Sequence, residues 1–107
     1  MFFTVNNNAW VLKFVNPQSK DLHRSDGTYT FGVTDNSVKT VFIMRGMSPE
    51  MTERVLCHEI THVFCFENNI SIPLELEERL CNFMADYGKE IIYLLDDLLR
   101  NIQRIAI

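Results

Sequence analysis

His58-Glu59-Ile60-Thr61-His62 is the stretch whose reading decides this fold. It is an instance of H-E-x-x-H. The pattern gathers a metal only on a helix, where residues i and i+4 stand one above the other and both imidazoles reach one ion. Glu59 neighbours His58 on that helix and can lean toward the same point. Such a pair of histidines suits Zn²⁺ with a position left for water, and the glutamate then serves as the base for that water.

The flanking residues supply the helix. Ser48 is placed to cap it, Pro49 suits the first helical position, and Glu50 suits the positive end of the helix dipole. Val55, Leu56, Ile60, Val63 and Phe64 repeat at helical spacing, and Asn68-Asn69 stops the run, so a helix is predicted over Pro49 to Glu67. Both histidines then lie beside the apolar stripe, with Met51, Val55 and Cys65. Polar rings at the edge of buried surface need a partner, and one metal ion serves both.

Composition narrows the class. The chain has 107 residues, 47% hydrophobic and 22% charged, which fits one folded domain, 1–107, and argues against disorder. A net charge of -4, with lysines and arginines scattered, gives no footprint for nucleic acid. The apolar C-terminal tract is broken by Asp96, Asp97 and Arg100, so no membrane span is expected. Met1-Phe2-Phe3 lacks a basic lead and is interrupted by Asn6, Asn7 and Asn8, so no secretory signal is expected. Three cysteines on helical segments do not make a disulfide framework and point to the cytoplasm; Cys65, three residues after His62, reads as a small buried thiol.

Outward from the motif, Trp10 to Val15 reads as a first strand, ended by Asn16-Pro17. Gln18 to Gly27 reads as a loop carrying His23. Thr28 to Thr34 and Val38 to Arg45 read as two strands of a hairpin about Asp35-Asn36-Ser37. Beyond the motif helix, a second helix is predicted from Pro73, with Gly88 ending or bending it, and a third from Lys89 to about Arg104. In that last stretch Ile91, Leu95, Leu98, Ile102 and Ile105 follow the four-three spacing of a helix seam, which either packs on its own domain or forms a homodimer or partner surface. The fold class is α+β: a small antiparallel or mixed sheet packed on the motif helix, then a ligand-bearing helix and a C-terminal helix.

A catalytic zinc site takes three protein ligands. No histidine follows His62, and Cys65 and Asn68 stand where an H-E-x-x-H-x-x-G-x-x-H pattern needs glycine and histidine. The third ligand is therefore a carboxylate or thiol, or comes from upstream. Among Glu75, Glu77 and Glu78, Glu75 has polar helical neighbours and reads as solvated. Glu78 has Cys81 and Ala85 beside it, which allow close approach of two helices. It also has Asn82 one turn on, placed to accept a spare imidazole N–H. Periodicity gives Glu78 a small lead over Glu77.

Glu78-Arg-Leu-Cys-Asn82-Phe-Met-Ala85, taken with the upstream His58-Glu59-Ile-Thr-His62, resembles the two helical motifs of the ImmA/IrrE family of metallopeptidases. Thr30-Phe-Gly-Val-Thr-Asp35 and Val41-Phe-Ile-Met44 resemble the sheet lying over the active helix in those proteins. The likeness covers roughly Tyr29 to Tyr87. It implies a gluzincin site with His58, His62 and Glu78 on zinc, Glu59 as base and Asn82 behind a histidine. It also implies a protein substrate such as a repressor. This chain departs from the family in having no room for an added DNA-binding domain. It departs from thermolysin-like sites in carrying Asn82 where they have an acid.

The expected function is zinc-dependent peptide hydrolysis, with a substrate chain extended along an edge strand of the hairpin. His23, Tyr29 and Tyr87 are the candidates to stabilise an oxyanion. The rival expectation is a zinc-binding interaction module that docks through the C-terminal helix.

Overall fold

A computed structural model describes residues 1–24 and 26–106 of the chain; Ser25, within the loop expected from Gln18 to Gly27, and Ile107 lie outside the described residues. The fold is α+β. Four strands, β1 (Phe2–Val5), β2 (Asn8–Val15), β3 (Gly32–Asp35) and β4 (Thr40–Met44), form one mixed sheet in the order β1-β2-β4-β3. The β2–β4 pairing is parallel and the other two are antiparallel. Helix α1 (Pro49–Glu67) packs its inner face on the sheet and another face on α2 (Leu74–Ala106).

The motif helix starts and stops where its sequence signals stand. The Ser48 hydroxyl accepts from the Met51 amide, Pro49 opens the first turn, and Asn69 follows the end with a φ of 53°. Val55 and Val63 carry the inner face into a core shared with Val5, Trp10, Leu12, Val41 and Ile43.

Three expectations need correction. First, β2 begins two residues earlier than Trp10, and Phe2–Val5 forms an additional strand beside it. The Asn6-Asn7 pair that interrupts the apolar start is the hairpin turn itself, with φ of 51° and 67°, a conformation asparagine tolerates well. Second, the hairpin strands are shorter than expected. Tyr29 makes only an isolated bridge to His23, and a single 3₁₀ turn, Lys20–Leu22, buries Leu22 within the loop.

Third, Gly88 does not end a helix, and the ligand-bearing and C-terminal helices are one continuous α2 of 33 residues. A mid-helix glycine costs only about 1 kcal/mol relative to alanine. Gly88 is itself buried, and strong helix formers lie on both sides of it. Nothing else in the local sequence stops the run.

The end of α1 is fastened to the sheet by one carboxylate. Glu67, with its side chain 5% exposed, accepts from Trp10 Nε1 at 2.8 Å, from Asn8 Nδ2 at 2.5 Å and from Lys39 Nζ at 3.1 Å. Lys39 leads these donors in holding the carboxyl below its ordinary value of 4.5, with Trp10 next. A carboxyl lowered in the folded state adds stability that is complete above about pH 4.5 and is lost as pH falls through the lowered value. Wild-type protein is therefore expected to exceed Glu67→Gln in stability at neutral pH. Urea midpoints measured across a pH series should converge below about pH 4.5.

Candidate metal centre

α1 and α2 run antiparallel, and their register is fixed by contacts along their length. Arg54 pairs with Asp86, Glu53 with Lys89, and Cys57 Sγ lies 3.3 Å from the Met84 carbonyl. In this register the first turns of α2 stand against the histidine turn of α1. His62 Nε2 is 2.7 Å from Glu78 Oε1, and His58 Nε2 is 3.3 Å from Glu78 Oε2. The two rings stand 5.0 Å apart, edge to face. One carboxylate thus faces both Nε2 atoms. Donors around a tetrahedral zinc with bonds of about 2.0–2.1 Å are separated by about 3.3 Å; the His58–Glu78 spacing matches this, whereas the His62–Glu78 spacing is a hydrogen-bond length that an ion would have to open by about 0.6 Å.

Cys81 is a second donor at the same place. It lies one turn beyond Glu78, fully buried, and its sulfur forms with the two histidines a group whose ligand atoms all lie within 4.8 Å of one another. Burial first, then the neighbouring Cys65 and glutamates, pushes its thiol up to about 12. It is therefore a neutral thiol at physiological pH, and a metal must displace its proton before it can bind. Glu78 is partly exposed and sets one oxygen against each Nε2 atom. The site thus offers two candidate third donors, Glu78 at the open side and Cys81 beneath it.

The second expectation about Glu78's neighbours is corrected. The partner of His62 Nδ1 is Glu77, whose Oε2 lies 2.5 Å away, and no hydrogen bond joins Asn82 to either histidine among the described residues. The reason is the antiparallel register. Asn82 is one turn further along α2 than Glu78 and falls level with His58, at the rim of the cleft. Glu77 falls beside His62 and fixes its ring from behind, as a carboxylate does for a metal-binding imidazole. Its side chain looked unaccompanied along the sequence because its companion is on the other helix.

Glu59 stands between the sheet and the histidines. It is 6% exposed, and the Thr34 hydroxyl lies 2.9 Å from its Oε1 and 3.0 Å from its backbone carbonyl. Oε2 is 3.9 Å from His58 Nε2. Burial raises the Glu59 carboxyl above its ordinary value, with Glu78 adding to the rise while Thr34 and both histidines oppose it. The group is thus a buried acid beside the ligand cluster, shifted toward the range in which a proton is readily taken and returned.

Gly32 makes this closeness possible. It opens β3 opposite Ile43, and a Cβ there would stand 2.8 Å from Val55 Cγ1 and 2.9 Å from Glu59 Cγ. A glycine inside a strand pattern is the sequence signal for such an approach. Gly32→Ala is expected to cost about 1–3 kcal/mol, the usual penalty of overpacking. A urea titration measures the cost, and metal content should survive because the ligands lie on the two helices.

Two clefts meet at this cluster. One, about 340 Å³, is bounded by Phe31, Met51, Arg54 and Asn82, and the other, about 510 Å³, by His23, Val33, Phe66 and Leu74. Both are lined by Arg24, Gly32, His58, Glu59 and Glu78. Arg24 was not among the expected oxyanion residues, yet it is the cation common to both clefts. His23 lines the second cleft with its ring against Tyr29, 4.0 Å between centroids. Tyr87 packs on Phe83 and lines neither cleft.

Neither a scan against protein-family models nor a search of curated proteins finds a match to this chain.

Proposed function

We propose that this chain is a zinc-dependent peptidase of the HExxH type, with His58, His62 and Glu78 as ligands and Glu59 as general base. The observation that carries the proposal is the pairing of two features. Three donors of the right kind converge from two helices, and a buried carboxylate that is not among them stands beside them. A site that only holds a fold together has no use for the second feature. Bound zinc would supply Lewis acidity and would lower the pKa of water toward neutrality.

The residues have distinct tasks. Glu59 accepts the proton of the attacking water and returns it to the leaving amine, while Thr34 holds one of its oxygens in place. Glu77 keeps the His62 ring turned toward the cluster. Arg24 supplies positive charge along both clefts, where the scissile carbonyl gathers negative charge. β3 is the edge of the sheet next to the cleft, so an extended substrate can add to it by main-chain hydrogen bonds. The family likeness adds a substrate class, a regulatory protein such as a repressor.

The setting we propose is the cytoplasm, which suits three free cysteines. Among the described residues, no helix is long and apolar enough to cross a membrane. Purified protein is expected to contain about one zinc per chain and to hydrolyse unfolded protein or peptide mixtures. Activity should be abolished by a chelator and restored by adding zinc back. Metal-replete protein inert toward every substrate offered would leave the rival reading, a zinc-binding interaction module. The exposed apolar face of α2 favours that rival.

A further inference from the structure

We propose that the exposed apolar stripe of α2 joins two copies of this chain as an antiparallel pair about a twofold axis at Ile91. From Ile91 toward the N-terminus the stripe holds Tyr87, Phe83, Leu80 and Leu76, at separations of 4, 8, 11 and 15 residues. Toward the C-terminus it holds Leu94, Leu98, Ile102 and Ile105, at 3, 7, 11 and 14. Its eight steps cover 29 residues, 3.6 per step, so the stripe stays on one side of an α-helix. Every member is at least 37% exposed, and Ile105 is 85% exposed.

Among the described residues, nothing in the chain covers this side. α1 occupies a different face of α2, and the ion pair of Glu53 with Lys89 is the polar contact between them nearest the C-terminus among the described residues. Residues 91–106 therefore run on for about 24 Å beyond that contact. A monomer rarely leaves such a continuous apolar surface in water.

The spacing identifies the occupant. Read outward from Ile91, the two halves match within one residue at each step. A second copy turned end for end thus sets Tyr87 against Leu94, Phe83 against Leu98, Leu80 against Ile102 and Leu76 against Ile105. The acidic first turn, with Glu75, then meets the basic last turns, with Arg100 and Arg104, and the two helix dipoles oppose. The two α1–sheet bodies lie at opposite ends of the pair, clear of each other.

The area is sufficient. Nine residues that are 37% to 85% exposed leave on the order of 900 Å² per chain in water, so covering most of it gives about the size of a standard specific interface. A lipid surface fits less well. α2 carries seven acidic residues against four basic ones, the reverse of helices that lie on anionic membranes.

Sedimentation equilibrium of the full chain is expected to show a species of about 25 kDa, twice the 12.5 kDa chain. Leu94→Glu with Leu98→Glu should raise the dimer dissociation constant on the order of 100-fold or more, while circular dichroism shows the chain still folded. Orientation is read by oxidative cross-linking. In a Cys57→Ser background, since Cys57 is the free cysteine that is not buried, Tyr87→Cys combined with Leu94→Cys should give a covalent dimer, and Tyr87→Cys alone should not. A wild-type chain that stays monomeric at high micromolar concentration overturns the proposal, as does a covalent dimer from Tyr87→Cys alone, which marks a parallel pair. Monomers that partition onto anionic vesicles overturn it in favour of a lipid surface. None of these outcomes depends on the metal site.

Discussion

Glu59→Gln is expected to leave metal content unchanged and to lower peptide hydrolysis on the order of 10²- to 10⁴-fold, the usual contribution of a general base. The substitution is nearly isosteric. The amide keeps an oxygen that can accept from Thr34 and fills the same space between Gly32 and Val55. What it removes is the ability to take a proton. The oxygen of Glu59 nearest His58 is 3.9 Å away, whereas Glu78 stands at 3.3 Å and 2.7 Å from the two histidines, so the metal should not miss Glu59. Metal analysis and a turnover assay on the same preparation separate the outcomes. Retained zinc with lost hydrolysis is the expected result. Undiminished hydrolysis would remove Glu59 from the mechanism, and lost zinc would make it a structural support.

The features legible along the chain are those whose causes are local. α1 could be bounded to the residue because a capping serine, a proline and an asparagine pair each act within one turn of their own position. The histidines then followed from helical geometry. The features that escaped are those whose causes lie across space. Glu77 and Asn82 exchange importance because of the antiparallel register of two helices, which neither helix states by itself. Cys81 looks like a spacer until α2 is laid against His58 and His62. β1 was hidden by its turn, since Asn6-Asn7 reads as a polar interruption unless positive φ is considered. Gly88 shows the reverse error. A local signal for a break was read correctly and outweighed by everything around it.

The same cross-helix reasoning sets the second large effect. Glu78→Ala is expected to weaken zinc binding by more than about 100-fold, beyond the 10- to 100-fold usual for groups behind a ligand. Cys81→Ser should change it only a few-fold. The argument rests on protons and reach. Glu78 presents one oxygen to each imidazole, and it lies at the open cleft where an ion enters. Cys81 is sealed beneath, and its thiol, pushed up to about 12, must release a proton into a fully buried site before it can bind. A metal that paid that cost would gain a soft thiolate ligand and would lose little when Glu78 is removed. Competition against a chromophoric chelator gives both affinities. Cobalt substitution gives an independent readout, since a thiolate ligand adds a charge-transfer band that carboxylate and imidazole do not. If that band appears and Cys81→Ser is the damaging change, the site is a His-His-Cys centre. Glu78 would then be free to act on substrate at the mouth of the cleft. If the band is absent and Glu78→Ala empties the site, three hard or borderline donors leave the remaining position to water, as peptide hydrolysis beside Glu59 requires.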